Sequence, residues 1–182
     1  MDRLQKAALI TRLVQALRER GSWCGETHIQ KAAYFLQELL QVPLGLQFIL
    51  YRHGPFSFDL RGDLTGLRAD ELLRLEPQPP PYGPKFVATE RADYIQKIYS
   101  QTVARYRLQI DLVATRLGPQ RVTALERLAT GLFVTRDAAA GATVEARAEA
   151  LHGLKPHVSP EEARAAIHEL DEIIRQADAL AC

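Results

Sequence analysis

The sequence predicts a mainly α protein: a winged-helix-like N-terminal domain with a small β-hairpin wing, followed by a helical C-terminal half. Three observations predict it. Apolar residues recur at helical spacing along most of the chain, as in Leu4, Ala8, Val14 and Leu17 near the start and Ala163, Ile167, Leu170, Ile174 and Ala177 near the end. Two short apolar runs, residues 72–76 and 85–88, flank a proline-rich tip at 77–84, the pattern of a hairpin with a stiff loop. The order helix, helix, helix, hairpin, helix is that of a winged-helix domain.

The first helix runs from about residue 3 to 20, and Gly21 is placed to stop it. Thr27 is positioned to cap a second helix. Its wide apolar face, Ile29, Ala32, Ala33, Leu36, Leu39 and Leu40, marks it as the central core helix. Pro43 and Gly45 end it. Residues 46–51 read as a short buried strand or an extended loop, turned sharply at Gly54-Pro55 into a third helix capped by Ser57. Leu60, Leu64 and Leu67 give that helix its inner face, and Asp70 is placed to cap one further turn. Thr89 is expected to cap one long helix with Ile95, Tyr99, Val103, Tyr106, Ile110, Val113 and Leu117 on one stripe and Arg105 and Arg116 opposite. Gly118-Pro119 breaks it, and another helix runs from about 120 to 136. After small residues at 138–142 a short helix passes through Val144, Ala148 and Leu151. Ser159-Pro160-Glu161-Glu162 then opens the last helix with a capping box. Two units follow from this order, 1–90 and 91–182, the second a helical extension that packs on the first or on a second subunit.

Composition narrows the function. The chain has 182 residues and 47% apolar content, enough for a real core, and its net charge of +1 makes it no general magnet for polyanions or membranes. The charge is unevenly spread. Residues 91–136 carry eight Lys/Arg and three acids, whereas 137–182 carry four and nine. Middle and tail therefore attract, inside one molecule or across a homodimer. Cys24 and Cys182 form no disulfide framework, which fits a reducing cytoplasm. Residues 1–20 carry charges throughout, unlike a signal peptide, and no apolar run reaches membrane-spanning length.

Residues with chemical potential mostly lack company. Cys24 and His28 are four apart, a metal-site spacing, but no second Cys/His pair lies nearby, so no metal is expected. Asp59 and Asp63 share a helical face that reads as solvated. Trp23 reads as packing between the first two helices. No nucleophile elbow, phosphate loop or dinucleotide fingerprint occurs, so neither an enzyme nor a cofactor is expected.

Three stretches carry a resemblance. They are Thr27-His28-Ile29-Gln30-Lys31-Ala32-Ala33-Tyr34-Phe35-Leu36, Tyr51-Arg52-His53-Gly54-Pro55-Phe56-Ser57 and Leu151-His152-Gly153-Leu154-Lys155-Pro156-His157-Val158-Ser159. The first two resemble the YwgA-like group of uncharacterised bacterial and archaeal proteins and, more distantly, the Panacea domain of SocA-like antitoxins. The third resembles the stretch before the last helix in the YwgA-like group. The proline-rich wing and long helical C-terminal half depart from the Panacea pattern. The Panacea resemblance implies protein–protein recognition. The expected contact residues are the turn at His53, Gly54, Pro55 and Phe56, the wing tip at Tyr82 and Lys85, and Lys31 where it is exposed. The alternative is a nucleic-acid-binding regulator using a basic surface of Lys85, Arg91, Arg105, Arg107, Arg116 and Arg121. In that reading the third helix is a poor reader, because Asp59 and Asp63 would face phosphates.

Overall fold

The computed structural model describes residues 1–80, 83–137 and 143–181. Helix α1 (Arg3–Glu19) begins with a capping box between Asp2 and Gln5 and stops at Gly21, which takes φ +83°. It is buried on several sides, through Leu9, Ile10, Leu13, Val14 and Leu17. Helix α2 (Glu26–Tyr34) starts behind Gly25, so Thr27 lies inside the helix rather than capping it. Its last turn widens into a π-helical turn, Phe35–Leu39. Ile29, Ala32, Ala33 and Leu36 are buried as the apolar face required. Helix α1 shares the central place expected for α2, since α1 packs against later helices and the second hairpin.

Residues 42–47 alternate buried and exposed but join no sheet. The Gln37 side chain instead satisfies the Leu46 backbone, accepting from its N–H at 2.8 Å and donating to its carbonyl at 2.7 Å. The strand is shorter than the sequence suggests. Strand β1 (Ile49–Tyr51) pairs antiparallel with β2 (Gly54–Phe56), Ile49 opposite Phe56 and Tyr51 opposite Gly54. The chain therefore makes a small ribbon before entering α3 (Phe58–Ala69), where a direct strand-to-helix turn was expected. Gly54, at φ +82°, opens the return strand. Ser57 caps α3 as anticipated, accepting from Leu60 N–H at 3.2 Å. Asp70 closes that helix instead of starting another turn.

The second hairpin forms where the apolar runs placed it, β3 (Leu73–Glu76) against β4 (Lys85–Ala88). The helix after Thr89 departs from expectation. Three helices replace one: α4 (Glu90–Ile98), α5 (Ser100–Arg105) and α6 (Arg107–Leu117), broken at Tyr99 and Tyr106. Thr89 caps nothing with its side chain and donates to the Glu71 carbonyl. The two breaks let the segment curl around α1, which touches all three helices. The apolar stripe keeps its spacing across both breaks, so periodicity could not reveal them. Helices α7 (Val122–Arg136), α8 (Val144–Leu154) and α9 (Pro160–Ala181) follow, the last with its capping box made between Ser159 and Glu162.

The protein is thus mainly helical with two small antiparallel hairpins. One apolar cluster runs from Ala7 to Ile173, across the 90/91 boundary. The middle and tail meet within the chain, α7 packing on α9 with Arg127 paired to Glu162. Among the described residues no helix is long and apolar enough to cross a membrane.

Candidate functional site

The three resembling stretches converge on the ribbon. From beneath, α2 supplies Gln30 and Lys31, neighbours that both reach the ribbon's return path. Gln30 clasps Ser57 in both directions at 2.9 Å, donating to its carbonyl and accepting from its N–H. The Lys31 amine is 1% exposed and donates to the Pro55 carbonyl at 2.8 Å. Burial pulls that amine down from 10.5 to about 8, with Glu126 working against the shift and Lys155 adding to it. Lys31 was expected to act where exposed; the structure puts it inside, as a support.

From the C-terminal half, α7 brings Glu126 and Thr130, and the loop after α8 brings Lys155 and His157. Lys155 is buried, 2.8 Å from Glu126 Oε1, and donates to the Arg52 carbonyl. His53 Nδ1 lies 3.5 Å from Glu126 Oε2, and His157 Nε2 lies 3.8 Å from Oε1, both rings exposed. Burial pushes the Glu126 carboxyl up. The hydrogen bond and charge of Lys155, with His53, outweigh it and hold the group below the ordinary range. Gly54 fits where nothing larger would. A Cβ there would stand 2.9 Å from Thr130 Oγ1 and 3.5 Å from the Glu126 carbonyl. Buried charge of both signs therefore fixes the turn 52–57 from two directions. The Lys31 amine, bonded to the Pro55 carbonyl, clamps the turn from below.

The clamp presents an aromatic surface. Ile49, Tyr51 and Phe58 are about half exposed. Tyr51, Phe56 and Phe58 form a triangle with ring centres 5.1–5.9 Å apart. The Arg61 guanidinium lies 4.7 Å over the Phe56 ring and pairs with Glu26 at 2.8 Å. Tyr51 faces Gly54 across the ribbon, so its ring has room to lean onto Phe56.

Of the expected contact residues, His53 and Phe56 reach this surface, while Gly54 and Pro55 are buried beneath it. Tyr82 lies outside the described residues. Lys85 sits 4.1 Å over the Trp23 ring, so Trp23 lines an open cleft rather than filling the space between two helices. The basic surface of the alternative is dispersed. Arg91 pairs with Glu71 at 2.5 Å, Arg105 stacks on Tyr106 at 5.4 Å, and Arg105, Arg107 and Arg116 fall on two helices instead of one. Lys85 and Arg121 do share a cleft. Cys24 and His28 are both buried and separately engaged, the thiol to the Val14 carbonyl and the His28 ring 2.7 Å from the Leu117 carbonyl. Burial pushes the Cys24 thiol up to about 12, which keeps it un-ionised, and lowers His28, which favours the neutral ring.

Sequence reasoning missed Glu126 and Thr130, and it named Gln30 and Lys155 without giving them a role. A signal existed for Glu126: it is the only acid of α7 and stands beside the core positions Leu125, Leu128 and Ala129. No family model matches the chain, and no curated protein matches it at a significant level.

Proposed function

We propose that this chain is a non-enzymatic regulatory module that recognises another protein, of the antitoxin-like winged-helix kind, through the ribbon and the start of α3. The observation that carries this is the exposed triangle of Tyr51, Phe56 and Phe58 with Arg61 laid across it. Aromatic residues and arginine dominate binding energy at interfaces, and rigid ones lose little entropy on contact. A buried ionic clamp beneath an exposed apolar ribbon is an arrangement that pre-orders a contact surface, because the ribbon alone, two strands of three residues each, is too small to hold its shape. In this reading the N-terminal half is a winged-helix variant, with α1 to α3 as its helices and β3–β4 as its wing. The ribbon takes the place of the tight turn between helices two and three.

The test is capture of a partner from source lysate, followed by a binding titration with the purified partner. The double variant Tyr51→Ser/Phe58→Ser removes rings that are about half exposed, so the protein should stay folded with a modest loss of thermal midpoint, while affinity falls by at least about a hundredfold. Retention of full affinity by a folded double variant would sink the proposal.

A further inference from the structure

The second hairpin, α3 and the beginning of α7 enclose a cleft of about 950 Å³, on whose wall the exposed side of α3 takes a new meaning. Arg61, Thr65 and Arg68 are spaced i, i+4, i+7 and all line the cleft. The two carboxylates that argued against this helix as a polyanion reader stand on its other side. Asp59 accepts from the Gln47 N–H at 3.1 Å, and Asp63 pairs with Lys6 at 2.7 Å. Lys85 comes from β4 and Arg121 from the start of α7. Among the described lining residues Glu26 is the only acid, and Arg61 already neutralises it. Neither Arg68 nor Arg121 has an ion-pair partner among the described residues, so both cations remain available to a ligand. Helices α2 and α7 both begin at this cleft without a side-chain cap, which leaves backbone N–H groups to add to the same positive field. Trp23, 37% exposed, supplies an aromatic surface among the cations.

We propose that this cleft binds a short segment of single-stranded nucleic acid. Its phosphates lie along Arg68, Arg121 and Lys85, and a base lodges against Trp23. A cationic groove with an aromatic platform is what sequence-tolerant strand binding requires. A duplex is disfavoured by shape. Reading its major groove needs a helix that stands proud, and here the cationic side of α3 is a wall of a concavity. The inference is separate from the ribbon reading. Tyr51 and Phe58 are not cleft residues, and only Arg61 belongs to both surfaces, so the test leaves Arg61 untouched.

Trp23 is the only tryptophan of the chain, so its emission reports directly on the cleft. The experiment titrates the full chain at low salt with short oligothymidylate and oligouridylate, followed by Trp emission and by anisotropy of the labelled strand. Saturable quenching is expected, with affinity falling as salt rises at a log–log slope of about −2 for three phosphates. The variant Arg68→Glu/Arg121→Glu should bind at least about tenfold more weakly. Arg105→Glu/Arg107→Glu, exposed and outside the cleft, should bind as the parent does. Comparing the two strands shows whether the 2′-hydroxyl matters. Absent binding, tighter binding to duplex, loss through Arg105 and Arg107 instead, or equal competition by inorganic phosphate or a mononucleotide would each overturn the proposal.

Discussion

Gly54 is the position where one atom matters most. Its φ of +82° is costly for any side chain, and an added Cβ would meet Thr130 Oγ1 at 2.9 Å with backbone close behind. Gly45 has a similar φ, +68°, but open space around it. Gly45→Ala should therefore cost about 1 kcal/mol for backbone strain alone, and Gly54→Ala about 3 kcal/mol or more once the clash is added. Urea unfolding of the two variants decides this; equal losses would show that the contact with α7 is irrelevant. Lys31 gives a second prediction. Folding takes its amine from 10.5 to about 8, so between those values the unfolded chain holds a proton that the folded chain has released. Stability contributed by this group thus rises with pH across that window. Relative to Lys31→Met, the parent should gain about 2 kcal/mol between pH 7 and pH 9.5. Both proteins keep the Cys24 thiol, whose raised value acts in the opposite sense above 9, so the comparison cancels it. A pH-independent difference would mean that Lys31 is not desolvated.

At the scale of elements, the ion pair of Glu126 and Lys155 differs in kind from the surface pairs. Arg3–Asp70 is largely exposed, and Arg3→Ala should change stability by less than about 1 kcal/mol. Glu126→Ala strands the buried Lys155 amine and should cost about 3–5 kcal/mol, with a good part recovered when Lys155→Met is added. A double variant no better than the single would show that the carboxylate, not the stranded cation, matters. These elements also show what the sequence could reveal. The caps at Ser57 and Ser159, the second hairpin and the apolar faces of α2 and α9 follow local rules, so they were legible. The breaks at Tyr99 and Tyr106 were not, because the stripe continues through them. Nor was the ribbon, whose three-residue strands owe their shape to Gln30, Lys31 and α7 rather than to their own pattern. The motif stretches come together around the ribbon, but they gave no hint that Glu126, far along the chain, sits between them.

For the whole molecule, the charge asymmetry resolves partly into an internal ion pair, Arg127 with Glu162, which together with the Gln120–Glu169 hydrogen bond docks α9 onto the middle helices. The apolar cluster likewise spans both halves. A fragment of residues 1–90 leaves α1 without α4, α5 and α6 against it. It should lack a cooperative thermal transition; a sharp one, with native-like amide protection in α2, would establish the first half as independently folding.

The clamp under the ribbon joins residues more than a hundred positions apart, since Lys155 donates to the Arg52 carbonyl. On a ribosome, the aromatic triangle is made early with Gln30 and Lys31 already beneath it, but its support from Lys155 comes only after that residue has emerged. In the proposed reading, an incomplete chain offers only a partly supported version of the contact surface, and a partner tuned to the rigid form would ignore it. In that reading, binding competence follows the emergence of Lys155.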